Sequence, residues 1–169
     1  CNTIKGDYHM IEQDTIRLLR ECDAGVKMGL SSINEVMDYV HSDRLKSCLS
    51  ECKAEHEKFA GEMQNLLNRY SDDGKDPNPI AKGMSWIKTN VMLSVNESDS
   101  VIADLMTDGC NMGVKSLSKY LNEYQAADES SKDIAKRIIT SENKLANEVR
   151  AFLLLKYAVK FTAYFCLFI

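Results

Sequence analysis

Apolar residues recur every three or four positions along most of this 169-residue chain, which is the period of an amphipathic α-helix. The period predicts four long helices, over residues 14–40, 44–70, 100–124 and from 131 onward. Asp14 and Asp43 are the expected N-caps of the first two helices, because a short carboxylate can accept from the free amides of a first turn. The second helix has the most regular apolar seam, with steps of four and three: Leu45, Leu49, Cys52, His56, Phe59, Met63, Leu66 and Tyr70.

Turn residues divide these helices into two hairpins. Residues 71–79 (SDDGKDPNP) form the clearest break, and the apolar stretch 80–95 around Trp86 predicts a helix inside a long crossover. The predicted fold class is therefore all-α: an antiparallel four-helix bundle of ferritin-like topology with a helix-containing crossover between helices two and three. The predicted organisation is an N-terminal extension over residues 1–13, the bundle over 14–153, and an apolar C-terminal tail or helix extension over 154–169.

Short motifs recur between the two hairpins. Cys22-x-x-Gly25-Val26-Lys27 in the first helix returns as Cys110-x-x-Gly113-Val114-Lys115 in the third. Aligning Phe59-Ala60 with Leu145-Ala146 in the same way places His56 opposite Glu142. The repeat favours a duplicated hairpin, and chance similarity among helices of one composition is the alternative.

Two polar residues occupy seam positions where apolar residues are expected. His56 lies between Cys52 and Phe59, and Glu142 lies between Ile138 and Leu145. A buried carboxylate requires a cation, a hydrogen-bond donor or a proton. The two side chains either bond to each other or to neighbours and specify helix register, or they are two ligands of a metal ion in the bundle core.

The metal hypothesis extends to carboxylates on the other helices. Its four candidate ligands are His56, Glu142, Asp23 and Asp108, with iron, manganese or zinc as the ion. Glu55 or Glu62 and the thiolates of Cys22, Cys52 and Cys110 are further possible donors. A complete di-iron centre is not expected, because it needs Glu-x-x-His on two helices and the chain has none.

The same seam contains a weaker signal for nucleophilic chemistry. Cys52 and His56 are four residues apart, and side chains at that spacing touch on a helix. On a bundle seam such a pair is more often packing, and no oxyanion-binding loop is evident in the sequence. No catalytic residue is therefore predicted, and the chain is expected not to be an enzyme.

Composition limits the partners. A net charge of −4 disfavours nucleic acid, whose phosphates require a basic face. The six cysteines form no Cys-x-x-Cys pair, and the interior ones fall on apolar helix faces, which favours a reducing cytoplasm over a disulfide scaffold. Lys156 and Lys160 interrupt the tail, so packing against the bundle or another subunit is expected there rather than a membrane span.

Four stretches resemble an uncharacterised bacterial family of ferritin-like domains of unknown function, related to rubrerythrin and bacterioferritin. They are LLRECDAGVKMG (18–29), HEKFAGEMQNLL (56–67), KGMSWIK (82–88) and DGCNMGVKSLSKYLNEY (108–124), and the resemblance extends over residues 15–153. It implies a ferritin-like fold with the Trp86 segment in the crossover, and no established activity.

These observations favour a non-catalytic ferritin-like bundle with a structural, interaction or stress-related role. It is expected to form a homo-oligomer and to meet a protein partner through the apolar tail. The alternative is a metal-binding or redox protein with an iron- or manganese-type site in the bundle core that has fewer ligands than a complete di-iron centre.

Overall fold

A computed structural model describes residues 2–76 and 98–166, with side chains over 9–76 and 99–153. This part of the chain is all-helical, with four long helices and no strand. The elements are α1 (Asn2–Val36), a short 3₁₀ turn (Met37–Tyr39), α2 (Asp43–Asn68), α3 (Ser98–Glu123) and α4 (Glu129–Cys166). The all-α prediction is confirmed, while the predicted crossover helix over 80–95 lies outside the described residues.

Two predicted N-caps are wrong. α1 begins at Asn2, so Asp14 lies inside the helix, where its carboxylate accepts a hydrogen bond from the amide of Ala126. The N-cap of α2 is Ser42 rather than Asp43, because the Ser42 hydroxyl accepts from the Leu45 amide in the first turn. Both errors concern local capping, which depends on where the backbone turns and not on the apolar period.

Among the residues whose side chains are described, the core consists of two apolar clusters, and each takes residues from all four helices. The seam predicted for α2 is buried as far as Met63, after which Leu67 replaces Leu66. We name the clusters by position. The upper cluster includes Ile33, Val36, Leu45, Leu49, Cys52, Ile102, Met106, Cys110, Leu145, Val149 and Phe152, and the lower cluster includes Leu18, Leu19, Cys22, Val26, Phe59, Met63, Leu67, Leu117, Ile134 and Ile138.

Side chain–backbone hydrogen bonds hold the connections at the bundle ends. Asp99, in the first turn of α3, accepts from the amides of both His41 and Ser42. At the other end, the Thr15 hydroxyl of α1 accepts from the amide of Asp128 in the α3–α4 loop. These bonds satisfy loop amides that no helix partner reaches, so they fix which helix ends lie together.

α4 continues as a helix to Cys166, beyond the last described core residue, Phe152. No helix in the described ranges combines the length and apolarity needed to cross a membrane.

Candidate functional site

His56 and Glu142 meet between the two clusters. His56 follows Cys52 of the upper cluster by one turn and precedes Phe59 of the lower cluster. Its Nε2 lies 2.9 Å from Glu142 Oε1, which joins α2 to α4 across 86 positions of the sequence. The exposed fraction of the His56 side chain is 1%, and that of Glu142 is 13%. Of the alternatives that the sequence left open, the structure therefore shows the one in which the two side chains bond to each other.

The second nitrogen of His56 also faces an acceptor. Nδ1 lies 3.0 Å from the backbone carbonyl oxygen of Cys52, which can only accept. With a carboxylate at Nε2 and a carbonyl at Nδ1, the ring satisfies both contacts when each nitrogen carries a proton. Burial alone lowers the pKa of His56, but the hydrogen bonds with Cys52 and Glu142 outweigh it and raise the pKa to about 10. His56 is thus an imidazolium at neutral pH, with Glu142 as its partner.

Glycines on the other two helices make room for this pair. A Cβ built on Gly29 of α1 would lie 3.0 Å from His56 Cδ2 and 3.1 Å from Nε2. A Cβ built on Gly113 of α3 would lie 3.6 Å from the carboxyl carbon of Glu142, which is ordinary contact. Each helix therefore contributes one residue to a polar layer, and at Gly29 any larger side chain would press on the imidazole ring.

Two thiols flank the polar layer. Cys52 Sγ lies 3.5 Å from His56 Nδ1, and both groups are on α2. Cys110 of α3 faces Glu142, and burial followed by the charge of that carboxylate strongly raises the pKa of its thiol. The result is a chain of contacts from Cys52 through His56 and Glu142 to Cys110.

Asp23 lies elsewhere in the fold. It is 3% exposed, its Oδ2 accepts from the Lys75 amide at 3.0 Å, and Lys27 Nζ lies 2.9 Å from the same oxygen. Its role is to hold the segment after α2 against α1, and we call that segment, residues 71–76, the clasp. Further ion pairs join it to α1: Arg20 with Asp72, Glu21 with Lys75, and Lys27 with Asp76.

The remaining carboxylate candidates either form other contacts or are exposed to solvent. Asp108 is exposed on α3. Glu55 accepts from the Ser141 hydroxyl, and Glu62 forms a bidentate pair with Arg137 at 2.7 and 2.8 Å. In the described ranges, no three His, Cys, Asp or Glu side chains are grouped so that they could hold a metal ion. Of the four predicted ligands, the fold brings together only His56 and Glu142.

The sequence signals some of the residues that shape these sites and not others. Gly29 and Gly113 carried a signal, since a glycine inside a helix costs about 1 kcal/mol relative to alanine and needs a packing reason. The clasp around Asp23 carried none, because contacts between residues about 50 apart leave no periodic trace in the sequence.

Comparisons with known proteins identify no relative of this chain. No protein-family model matches the chain, and searches of curated proteins and of solved structures return no match.

Proposed function

We propose that this chain is a non-catalytic, ferritin-like helical bundle that acts through its surface and its assembly. The proposal rests on the observation that the polar groups of this layer already bond to each other within the bundle. Both nitrogens of His56 are occupied by Cys52 and Glu142, and Gly29 packs directly on the ring. A protonated imidazole has no lone pair to offer a metal ion, so the layer works as an internal ion pair that sets helix register.

The order in which the helices pass the two clusters supports an antiparallel bundle. α1 contributes to the lower cluster first and to the upper cluster later, whereas α2 does the reverse. α3 follows the order of α2, and α4 follows that of α1. Two hairpins arranged in this way need one long connection between α2 and α3, which is the topology of ferritin-like folds.

Elemental analysis of tag-free protein tests the proposal. The full chain is loaded separately with iron, manganese and zinc, desalted, and compared with Glu142→Gln and with the surface control Asp108→Asn. We expect no stoichiometric metal in any sample and an unchanged melting temperature after loading.

One result would overturn the proposal in favour of a metal-binding or redox protein. That result is one bound ion per chain in the wild type, lost in Glu142→Gln and kept in Asp108→Asn. Such binding requires the ion to displace a proton from His56 into solvent, so the affinity would also rise with pH.

A further inference from the structure

α4 continues past the level at which the other described helices end or begin. Its last buried core residue that the structure describes is Phe152, and the guanidinium of Arg44, in the first turn of α2, lies 5.9 Å from the centre of that ring. α3 begins at the same end of the bundle, because Asp99 in its first turn accepts from amides of the α1–α2 connection. α4 nevertheless remains helical to Cys166, about 20 Å further at 1.5 Å per residue. We call residues 153–166 the extension.

The helical register sorts the residues of the extension by chemistry. Lys156 and Lys160 are one turn apart and share one face of the helix. Tyr157 and Tyr164, seven positions apart, fall on one flank of that face. The opposite face takes apolar residues spaced by four, three and four: Leu154, Ala158, Phe161 and Phe165. Cations on one side, apolar residues on the other and tyrosines at the border are typical of a helix that lies in the surface of a membrane.

The charge of this region favours an anionic surface over a second extension as its partner. Residues 149–169 contain three basic residues and no acidic one, whereas the whole chain has a net charge of −4. A second extension would bring the same lysines and no counter-charge to them, while anionic lipid headgroups supply that charge. The acidic residues of the bundle oppose this attraction only weakly, because the extension is longer than the Debye length of about 8 Å at physiological ionic strength.

We propose that the extension binds the surface of a membrane that contains anionic lipids, with its helix parallel to that surface. The inference rests on the proposed action of the bundle through its surface, and it names the partner. The face of Lys156 and Lys160 is placed at the headgroups, and the opposite face at their boundary with the acyl chains. In water, association with a second copy is the other way to cover these apolar residues, so lipid and a second copy compete for the extension.

Co-sedimentation with vesicles tests the proposal. The full chain is mixed with vesicles of phosphatidylcholine and phosphatidylserine or of phosphatidylcholine alone, and the bound fraction is measured against lipid concentration. We expect at least about tenfold tighter binding to the vesicles with phosphatidylserine, since each basic residue near an anionic surface adds to the affinity. Most of this difference should disappear between about 0.1 M and about 1 M sodium chloride, because salt screens the attraction.

The variant Lys156→Gln/Lys160→Gln tests which residues carry the attraction. It should weaken binding to the phosphatidylserine vesicles about tenfold or more. Its matched control is Lys115→Gln/Lys119→Gln, which removes two exposed lysines that are also one turn apart, on α3. The control should bind within about twofold of the wild type, because those lysines lie on the bundle and not on the extension. If either variant melts below the wild type, the lipid and salt dependence of the wild type decides.

Three outcomes would overturn the proposal: no binding to phosphatidylserine vesicles, equal binding to both kinds of vesicle, or an equal loss in the two lysine variants. A full chain that keeps its oligomer mass and stays in the supernatant with vesicles would assign the extension to a second copy instead.

Metal analysis of the same preparation separates this inference from the proposed function. Stoichiometric metal would overturn the proposed function and leave vesicle binding unchanged. A metal-free chain that does not bind vesicles would overturn only the inference about the extension.

Discussion

Gly29 of α1 packs against the imidazole of His56 so closely that a Cβ at this glycine would lie 3.0 Å from the ring. The ring cannot give way, because its two nitrogens are held by Cys52 and Glu142. We expect Gly29→Ala to lower the free energy of unfolding by about 1–3 kcal/mol, the usual cost of overpacking a rigid site.

The chain provides a matched control for this substitution one turn earlier. Gly25 lies on the same helix with nothing within 4 Å of a built Cβ. Gly25→Ala should raise the free energy of unfolding by about 0.5–1 kcal/mol through helix propensity. Urea denaturation measures both variants, and equal effects at the two glycines would contradict the packing of His56 on Gly29.

Replacing one partner of the His56–Glu142 pair should lower the free energy of unfolding more than replacing both partners. Glu142→Gln leaves a buried imidazolium without a counter-charge, and we expect a loss of about 3 kcal/mol in the free energy of unfolding. The double variant His56→Leu/Glu142→Leu removes both charges and should lie within about 1 kcal/mol of the wild type. The single variants His56→Leu and Glu142→Leu complete a double-mutant cycle in urea, and additive single effects would show that the pair does not interact.

The raised pKa of His56 predicts a loss of stability in alkali. His56 titrates near 6.5 when unfolded and at about 10 when folded, so the folded state holds this proton more tightly. The stabilisation is fully present below pH 6.5, shrinks as pH rises above that value, and is gone above pH 10.

The measurement is the free energy of unfolding in urea between pH 6 and 10.5, taken as the difference from the His56→Leu/Glu142→Leu variant. Subtracting that variant cancels the titration of distant lysines and tyrosines. A difference that stays constant over this range would refute the imidazolium assignment.

Gly74 is required by the clasp. Its φ is +83°, and an added Cβ would overlap the carboxylate of Asp23 and press on Leu67. We expect Gly74→Ala to lower the free energy of unfolding by about 2–3 kcal/mol, from backbone strain and displacement of Asp23. Gly61→Ala on α2, where a Cβ meets nothing within 4 Å, should instead be mildly stabilising. Thermal unfolding that ranks the two variants in the opposite order would contradict this role.

The apolar tail predicts a change in assembly. Residues 154–169 contain mostly apolar residues around Lys156 and Lys160, and a stretch of that composition is costly to leave in water. We expect a chain ending at Leu153 to have a smaller oligomer mass by light scattering than the full chain. An unchanged mass would show that the tail does not contribute to assembly.

The apolar period by itself determined that the chain forms long helices and most of their core positions, but not that α1 begins at Asn2. In α2 the seam from Leu45 to Met63 is buried as predicted, because a 3.6-residue turn puts residues spaced by three and four on one face. The period also marked His56 and Glu142 as polar groups directed inward, which any bundle arrangement of these helices requires.

Only the tertiary structure decided what those groups meet. It joins His56 to Glu142 and Cys52, and it assigns Asp23 to the clasp and Asp108 to the surface. A helical period specifies the face on which a side chain lies, but not which residue of another helix lies at the same height. That height depends on the lengths and anchoring of the connections, such as Asp99 on the α1–α2 turn and Thr15 on the α3–α4 loop. The physical reason is that contacts between distant segments follow from packing, which the local pattern of a sequence does not record.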